Sequence, residues 1–324
     1  MVVDDFAMNR RRTTWRVEGT LKHLYRYFGR DAKAAGITSD ALTSYVAARL
    51  KAGLAPATIK LEVATVRRGF RLAMRAGRLA RMPLMPQIHV SNVRQGFFEP
   101  SELAAVLRAM ERGGPYRDRK KCEQVAKPHP ELIPLIRFAA LTGWRKSEVL
   151  GLEWKQVDFA NSTVRLEPGT TKNLRGRVFP FDTWPELAAL LHEQRERTDA
   201  LQRAQGRIIT HVFHRRGKAV TDIRGAWDVA CRVAGVSRLF HDLRRTAVRN
   251  LERTGVARSQ AMMLTGHVTE AVYTRYAIVS ESDLREAVAR RAALPGGKTD
   301  PQTDPAEIAS PGTASVPRRN SLSG

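Results

Sequence analysis

Cysteine is almost missing from this chain. Its 324 residues hold two, Cys122 and Cys231, which excludes a disulfide scaffold and a cysteine-rich zinc site and leaves two ordinary thiols in a reducing compartment. No apolar run approaches the ~18 residues that span a bilayer. The opening MVVDDFAMNRRR lacks the apolar stretch of a signal peptide, so a cytoplasmic protein is expected. No G-x-x-x-x-G-K loop is present, and ATP is not implied. Carboxylates form no cluster of the two-metal kind, and His241 and His267 lack a metal-site partner spacing, so no metal is implied. Acidic residues are scarce as well: 32 Asp and Glu face 55 Lys and Arg, a formal +23. That excess suits a polyanionic partner, because cationic side chains on phosphates release counterions. Apolar residues make up 43%, enough for a folded core, and the length suggests two domains.

Half of the excess charge lies at the start. Residues 1–95 carry 18 Lys and Arg against 6 Asp and Glu, a net +12. Residues 1–92 read as a helical domain. Its clearest helix, PATIKLEVATVRRGFRLAMRAG, opens on Pro56, which suits a first helical turn. Ile59, Val63, Val66, Phe70 and Met74 recur at helical spacing as a core face. Lys60, Arg67, Arg71, Arg75 and Arg78 form a basic stripe beside it. Such a stripe is often only a solvated face; on so basic a segment, contact with DNA is the stronger reading. Pro83, Pro86 and Pro100 then break the pattern, with a linker expected over 93–100. A second domain follows over 101–294, mainly helical, with a small antiparallel sheet in WKQVDFANSTVRLEP and TTKNLRGRVFPF. Between its first helices, ERGGPYRDRKKCEQVAKPHP reads as a charged loop. Residues 295–324, rich in Pro, Gly, Ser and Thr, read as a disordered tail.

Four stretches hold polar groups that are odd as core or decoration. LTGWRKSEVLGLEW puts Arg145 at a helix start, and TTKNLRGRVFP puts Lys172 near a hairpin. FHDLRRTAVRNL puts His241 and Arg244 three apart, on one face of a helical turn. LTGHVTEAVYTRY adds His267 and two tyrosines, Tyr273 and Tyr276. Singly each is weak, since a lone tyrosine is more often a packing anchor than a nucleophile. As an ordered set they are specific.

That set resembles the tyrosine recombinase (phage integrase) family, over roughly residues 97–293. LTGWRKSEVLGLEW is similar to the family's first box, HDLRRTA and LTGH to its second, and YTRYAIV to its tyrosine segment. The N-terminal part resembles the family's helical, SAM-like core-binding domain, so the fold implied is that domain followed by an α+β catalytic domain. The resemblance implies a site-specific DNA recombinase of a mobile element, of the integrase or resolvase type. Such an enzyme cleaves and rejoins double-stranded DNA through a 3′-phosphotyrosyl intermediate, without metal or ATP. It selects Tyr276 as the nucleophile and makes Arg145 and Arg244 the clamp on the phosphate. It implies Lys172 as general acid, His241 as the group that takes the tyrosine proton, His267 as a further hydrogen-bond donor, and Glu148 as an orienting residue. It also implies a tetramer of this chain on DNA, with an accessory directionality factor as an optional partner. Exchange of a C-terminal segment, SDLREAVARRAAL, would join the protomers. Two alternatives stay open: a type IB topoisomerase-like enzyme, and a catalytically silent DNA-binding regulator.

Arg71→Ala tests the basic stripe. It is expected to weaken DNA binding and to flatten its salt dependence by roughly one phosphate contact. An unchanged slope in titrations at several salt concentrations removes this helix from the DNA interface.

Overall fold

A computed structural model describes residues 1–11, 13–90, 96–169 and 176–277, with Leu284, Arg285, Glu286, Val288, Ala289 and Ala292. Its contacts divide the chain into two units, Met1–Arg94 and Gln95 onward. Lys172, most of the SDLREAVARRAAL segment and the tail expected over 295–324 lie outside the described residues. Among the described residues no helix is long and apolar enough to cross a membrane.

The first unit is helical: α1 (Val2–Met8), α2 (Thr14–Phe28), α3 (Ser39–Lys51) and α4 (Pro56–Arg75). Pro56 stands in the first turn of α4, where its missing N–H costs no helical hydrogen bond. Ile59, Val63 and Phe70 are buried as the periodicity predicts, whereas Val66 is half-buried and Met74 exposed. The core face is rotated from the expected one, toward Ala73 and Glu62. A buried carboxylate needs partners, and Glu62 has two from α3: the Tyr45 hydroxyl donates to it at 2.7 Å and Arg49 at 2.6 and 3.0 Å. Burial alone would raise the Glu62 carboxyl, but the bonds from Arg49 and Tyr45 outweigh it and hold the pKa below the usual range.

The basic stripe departs from expectation at its end. Lys60, Arg71 and Arg75 are exposed on α4 and Arg67 is half-buried, but Arg78 lies beyond the helix, after a left-handed Gly77. Arg67, Arg71 and Arg75 line an open groove of about 960 Å³ that also holds the exposed Trp15 and Arg16; Lys60 does not line it.

The second unit mixes classes. α5 (Pro100–Arg112) leads to β1 (Gly114–Arg117) and β2 (Glu123–Ala126). These pair as an antiparallel hairpin where a charged loop was expected. Asp118 explains it: its Oδ1 accepts from the backbone N–H groups of Lys120 and Cys122 at 2.8 and 2.9 Å, closing a turn whose side chains alternate too irregularly to be read as strands. α6 (Ile133–Thr142) and α7 (Lys146–Leu150) follow. The expected small sheet is three-stranded, in the order β3 (Val157–Asp158), β4 (Thr163–Leu166), β5 (Arg177–Pro180), and antiparallel throughout. Then come α8 (Pro185–Gln205), the short pair β6 (His214–Arg215) and β7 (Lys218–Ala219), α9 (Arg224–Val233), α10 (Asp242–Arg253), α11 (Arg258–Thr265) and α12 (Glu270–Tyr273). Phe98, expected in the linker, is buried against Trp227 in this unit's core, and its N–H donates to Thr246 at 2.8 Å. Cys231 is buried too, and burial pushes its thiol up to about 12, an inert group.

Every residue of α10 from Asp242 to Arg249 is buried. A helix covered on all sides is normally apolar; this one carries Arg244, Arg245 and Arg249 inside, and the partners of Arg244 define the site.

Glu62→Ala removes the acceptor shared by Tyr45 and Arg49. It is expected to cost the first unit about 3 kcal/mol, the scale for breaking one side of a buried pair, as read from denaturant unfolding of the whole chain.

Candidate active site

The site grows from the C-terminal end of α11. The last carbonyls of a helix lack intrahelical partners, and each of these four is accounted for. Met262 and Met263 accept from the backbone N–H groups of His267 and Gly266 at 2.9 and 3.3 Å. Leu264 O accepts from the Trp144 indole at 3.2 Å. Thr265 O accepts from two guanidiniums, Arg177 at 2.6 Å and Arg244 at 2.7 Å. One residue on, Gly266 O accepts from Arg145 at 3.0 Å. Three arginines from three separate elements therefore converge on one Gly-His turn, at the negative end of a helix dipole.

Each arginine has a second anchor. Arg244, 2% exposed, donates to Gly143 O at 2.6 Å and to His267 Nε2 at 2.9 Å. Arg145 caps the start of α7; its Nη1 and backbone N–H both donate to Glu148 at 2.9 Å. Arg177 donates to Glu148 Oε2, the oxygen that also accepts from the Arg145 backbone N–H, and lies over the Trp144 ring at 4.7 Å. Burial would raise the Glu148 carboxyl, but Arg177 and Arg145 outweigh it and hold it low. Burial, then Arg145 and Arg177, lower the Arg244 pKa, yet it stays charged at neutral pH.

Two glycines permit the convergence. Gly143 and Gly266 both sit in the left-handed region, at φ +65° and +71°. A Cβ on Gly143 would come within 2.9 Å of the Ala247 Cβ, and one on Gly266 would overlap the Arg177 guanidinium.

His267 has a defined tautomer. A guanidinium only donates, so Nε2 facing Arg244 must be a bare lone pair. The proton then sits on Nδ1 and goes to Thr265 Oγ1 at 2.7 Å, whose own hydrogen goes to Ala261 O at 2.6 Å. His267 thus accepts from Arg244 through Nε2 and donates to Thr265 through Nδ1. Burial first, then Arg244, Arg145 and Arg177, push its pKa down to about 3.

The two tyrosines differ sharply. Tyr273 is 0% exposed, packed with Val248, Leu251 and Ala261, and its pKa is raised by burial and by Glu252. Tyr276 is half-buried, with its hydroxyl 2.9 Å from His241 Nε2. Its ring lies 5.5 Å from the Arg244 guanidinium and 4.7 Å from the His267 ring. His241 precedes α10 and is open to solvent, yet partial dehydration and the guanidiniums of Arg244 and Arg245 lower its pKa. The geometry brings together Arg145, His241, Arg244, His267 and Tyr276. Lys172 lies outside the described residues, and Lys60, Arg67, Arg71, Arg75 and Arg78 belong to the other unit. Sequence reasoning missed Arg177. The signal was available: in a strand of period two, Arg177 shares its face with the buried Phe179 and Phe181, and an arginine among inward phenylalanines needs a partner.

This fold is one seen in solved DNA recombinases and integrases. A lambda integrase tetramer bound to a Holliday junction matches with a TM-score of 0.61 at 18% identity, over 82% of this chain and 71% of that one. XerH recombinase in a post-cleavage complex on palindromic difH matches at 0.61 and 18%, over 86% and 80%. The Tn1549 transposon integrase with transposon right end DNA matches at 0.66 and 16%, over 90% and 98%. At such identities the likeness is of fold. The profile of the phage integrase family matches residues 97–282, more than half of the chain, and the chain belongs to that family. A curated relative, the integrase of Salmonella phage P22, is 23% identical over 188 residues, 53% of this chain and 44% of that protein. The match spans less than half of that relative's length.

His267 makes stability pH-dependent. An unfolded histidine binds a proton near pH 6.5 and this one only near 3, so between the two the unfolded state holds more protons. Its contribution is complete above about pH 6.5 and is lost as pH falls toward 3. Denaturation midpoints between about pH 6.5 and 4.5 are expected to fall less steeply for His267→Gln than for the natural chain.

Proposed function

We propose that this protein is a site-specific DNA recombinase, cleaving and rejoining double-stranded DNA through a covalent bond to Tyr276. One observation carries the reading. The only described tyrosine hydroxyl paired with a histidine base, Tyr276 on His241, stands beside a turn where three guanidiniums converge. Attack of the Tyr276 oxygen on phosphorus forms a 3′-phosphotyrosyl bond and breaks the bond to the 5′-oxygen, which leaves as a hydroxyl. The phosphodiester's energy is kept in the new ester, so reversal by another 5′-hydroxyl needs no energy cofactor.

The residues divide the work by their chemistry. A neutral His241 with a free Nε2 lone pair accepts the phenolic proton, and its lowered pKa keeps it neutral at physiological pH. Arg145 and Arg244 meet the charge that gathers on the non-bridging oxygens. His267 holds Arg244 by accepting from it without cancelling its charge. Lys172 remains the proposed acid for the leaving oxygen, on the family resemblance alone. Residues 1–92, with the arginine-lined groove, are the proposed core-binding domain, and 101–294 the catalytic one. Assembly as a tetramer on two duplexes follows the same resemblance, as does placement in the cytoplasm.

The test is covalent trapping. Nicked fragments of the DNA flanking the gene are incubated with the protein and denatured, and the linked ends and modified peptide are identified. A 3′-phosphate on Tyr276 at one recurring sequence is expected. Adducts at every sequence would instead indicate a topoisomerase, and tight binding without any adduct a regulator. Tyr276→Phe should abolish the adduct with DNA affinity retained, and Tyr273→Phe should keep it. Arg145→Ala or Arg244→Ala should slow cleavage by the equivalent of ~3 kcal/mol. The acid limb of the rate profile should fall below about pH 6.5, the ordinary histidine value, because His241 must be unprotonated to act as base.

A further inference from the structure

Arg177 is one of the three converging guanidiniums but has no chemical role in the scheme above, and it is among the most confined charges of the described residues. Its side chain is 6% exposed. It enters from β5, at the position paired with Leu166, and reaches Thr265 O, Glu148 and the Trp144 ring. Such confinement does not fit a solvated cation. What it does hold is the carboxylate that also holds Arg145.

A charge count shows why that matters. Among the described residues this cluster contains three guanidiniums, Arg145, Arg177 and Arg244, and one carboxylate, Glu148, a net +2. Glu148 binds Arg145 through Nη1 and the backbone N–H, which orients the guanidinium and fixes the start of α7. The same carboxylate is a liability for catalysis, since an ion pair in a partly dehydrated site cancels the field of its cation. A second cation on the carboxylate removes that liability and leaves the orientation intact.

We propose that Arg177 is a positioning residue for cleavage: by taking up the charge of Glu148, it lets Glu148 orient Arg145 while Arg145 keeps its positive charge for the scissile phosphate. The inference rests on the recombinase reading and adds a fourth member to its arginine–carboxylate set. Arg177 itself need not touch DNA. Arg177 also donates to Thr265 O at the end of α11, so its guanidinium ties the Gly-His turn to the sheet.

The experiment compares Arg177→Met, Glu148→Gln and the double variant with the natural chain. Single-turnover adduct formation is followed on a nicked duplex carrying the trapped sequence, with DNA affinity measured alongside. Arg177→Met lowers the cluster to +1 and is expected to slow adduct formation by ~10²-fold, the scale of losing one preorganised electrostatic contact, with affinity nearly unchanged. The double variant returns the cluster to +2 and is expected to recover about tenfold or more of that loss, the non-additivity of coupled neighbours. A second substrate carries a methyl in place of one non-bridging oxygen of the scissile phosphate. With that negative charge gone, Arg177→Met should lose much less. A double variant no faster than Arg177→Met, or an equal loss on both substrates, overturns the proposal and leaves Arg177 a purely structural anchor. If Arg177→Met does not fold, the double variant decides: cleavage within about tenfold of the natural rate supports the counter-charge role, and a greater loss, toward ~10²-fold, overturns it. Absence of any Tyr276 adduct with the natural chain would instead remove the recombinase reading, and this inference with it.

Discussion

The end of α11 is the constraint on which the second unit's site depends. Four carbonyls there would be orphaned by helix geometry, and backbone N–H groups of the following turn take only two of them, at Met262 and Met263. Side chains from α10, β5 and the Gly143–Arg145 turn satisfy the carbonyls of Leu264, Thr265 and Gly266. The result is an economy of position: a backbone requirement present in every helix holds arginines in place whose charges would otherwise drive them apart. Each of the three consecutive residues Gly143, Trp144 and Arg145 is tied to this region, by its carbonyl, its indole and its guanidinium respectively. Moving any one of them moves the others.

Much of this was legible in the sequence, and for identifiable reasons. Arg145, His241, Arg244, His267 and Tyr276 stand in short stretches where glycines and polar groups interrupt apolar periodicity, and the family resemblance orders them. The separation of Tyr273 from Tyr276 has a simple physical counterpart, one ring enclosed by apolar neighbours and the other hydrogen-bonded to His241. The small antiparallel sheet was legible from alternation, and Asp158 closes its first turn by accepting from Ala160 and Asn161.

What escaped has one common cause: local patterns do not show which polar group a distant element supplies. Glu62 breaks the apolar stripe of α4, and only Tyr45 and Arg49 on another helix make its burial tolerable. Arg177 looked like one more basic residue of a hairpin until Glu148 and Thr265 O gave it a place. The β1–β2 hairpin was hidden by its charge. Sequence cannot say which nitrogen of His267 carries the proton; Thr265, two residues earlier, decides it.

The pairing of Tyr276 with His241 has a consequence for cooperation between copies. Both groups belong to one polypeptide, and only the one-turn α12 and its flanking residues separate His267 from the tyrosine. On the proposed reading, each protomer owns its nucleophile and the base that deprotonates it. A defect in one copy is therefore not complemented by an intact neighbour at the same phosphate, and in a mixed assembly the number of strands cut follows the number of intact chains.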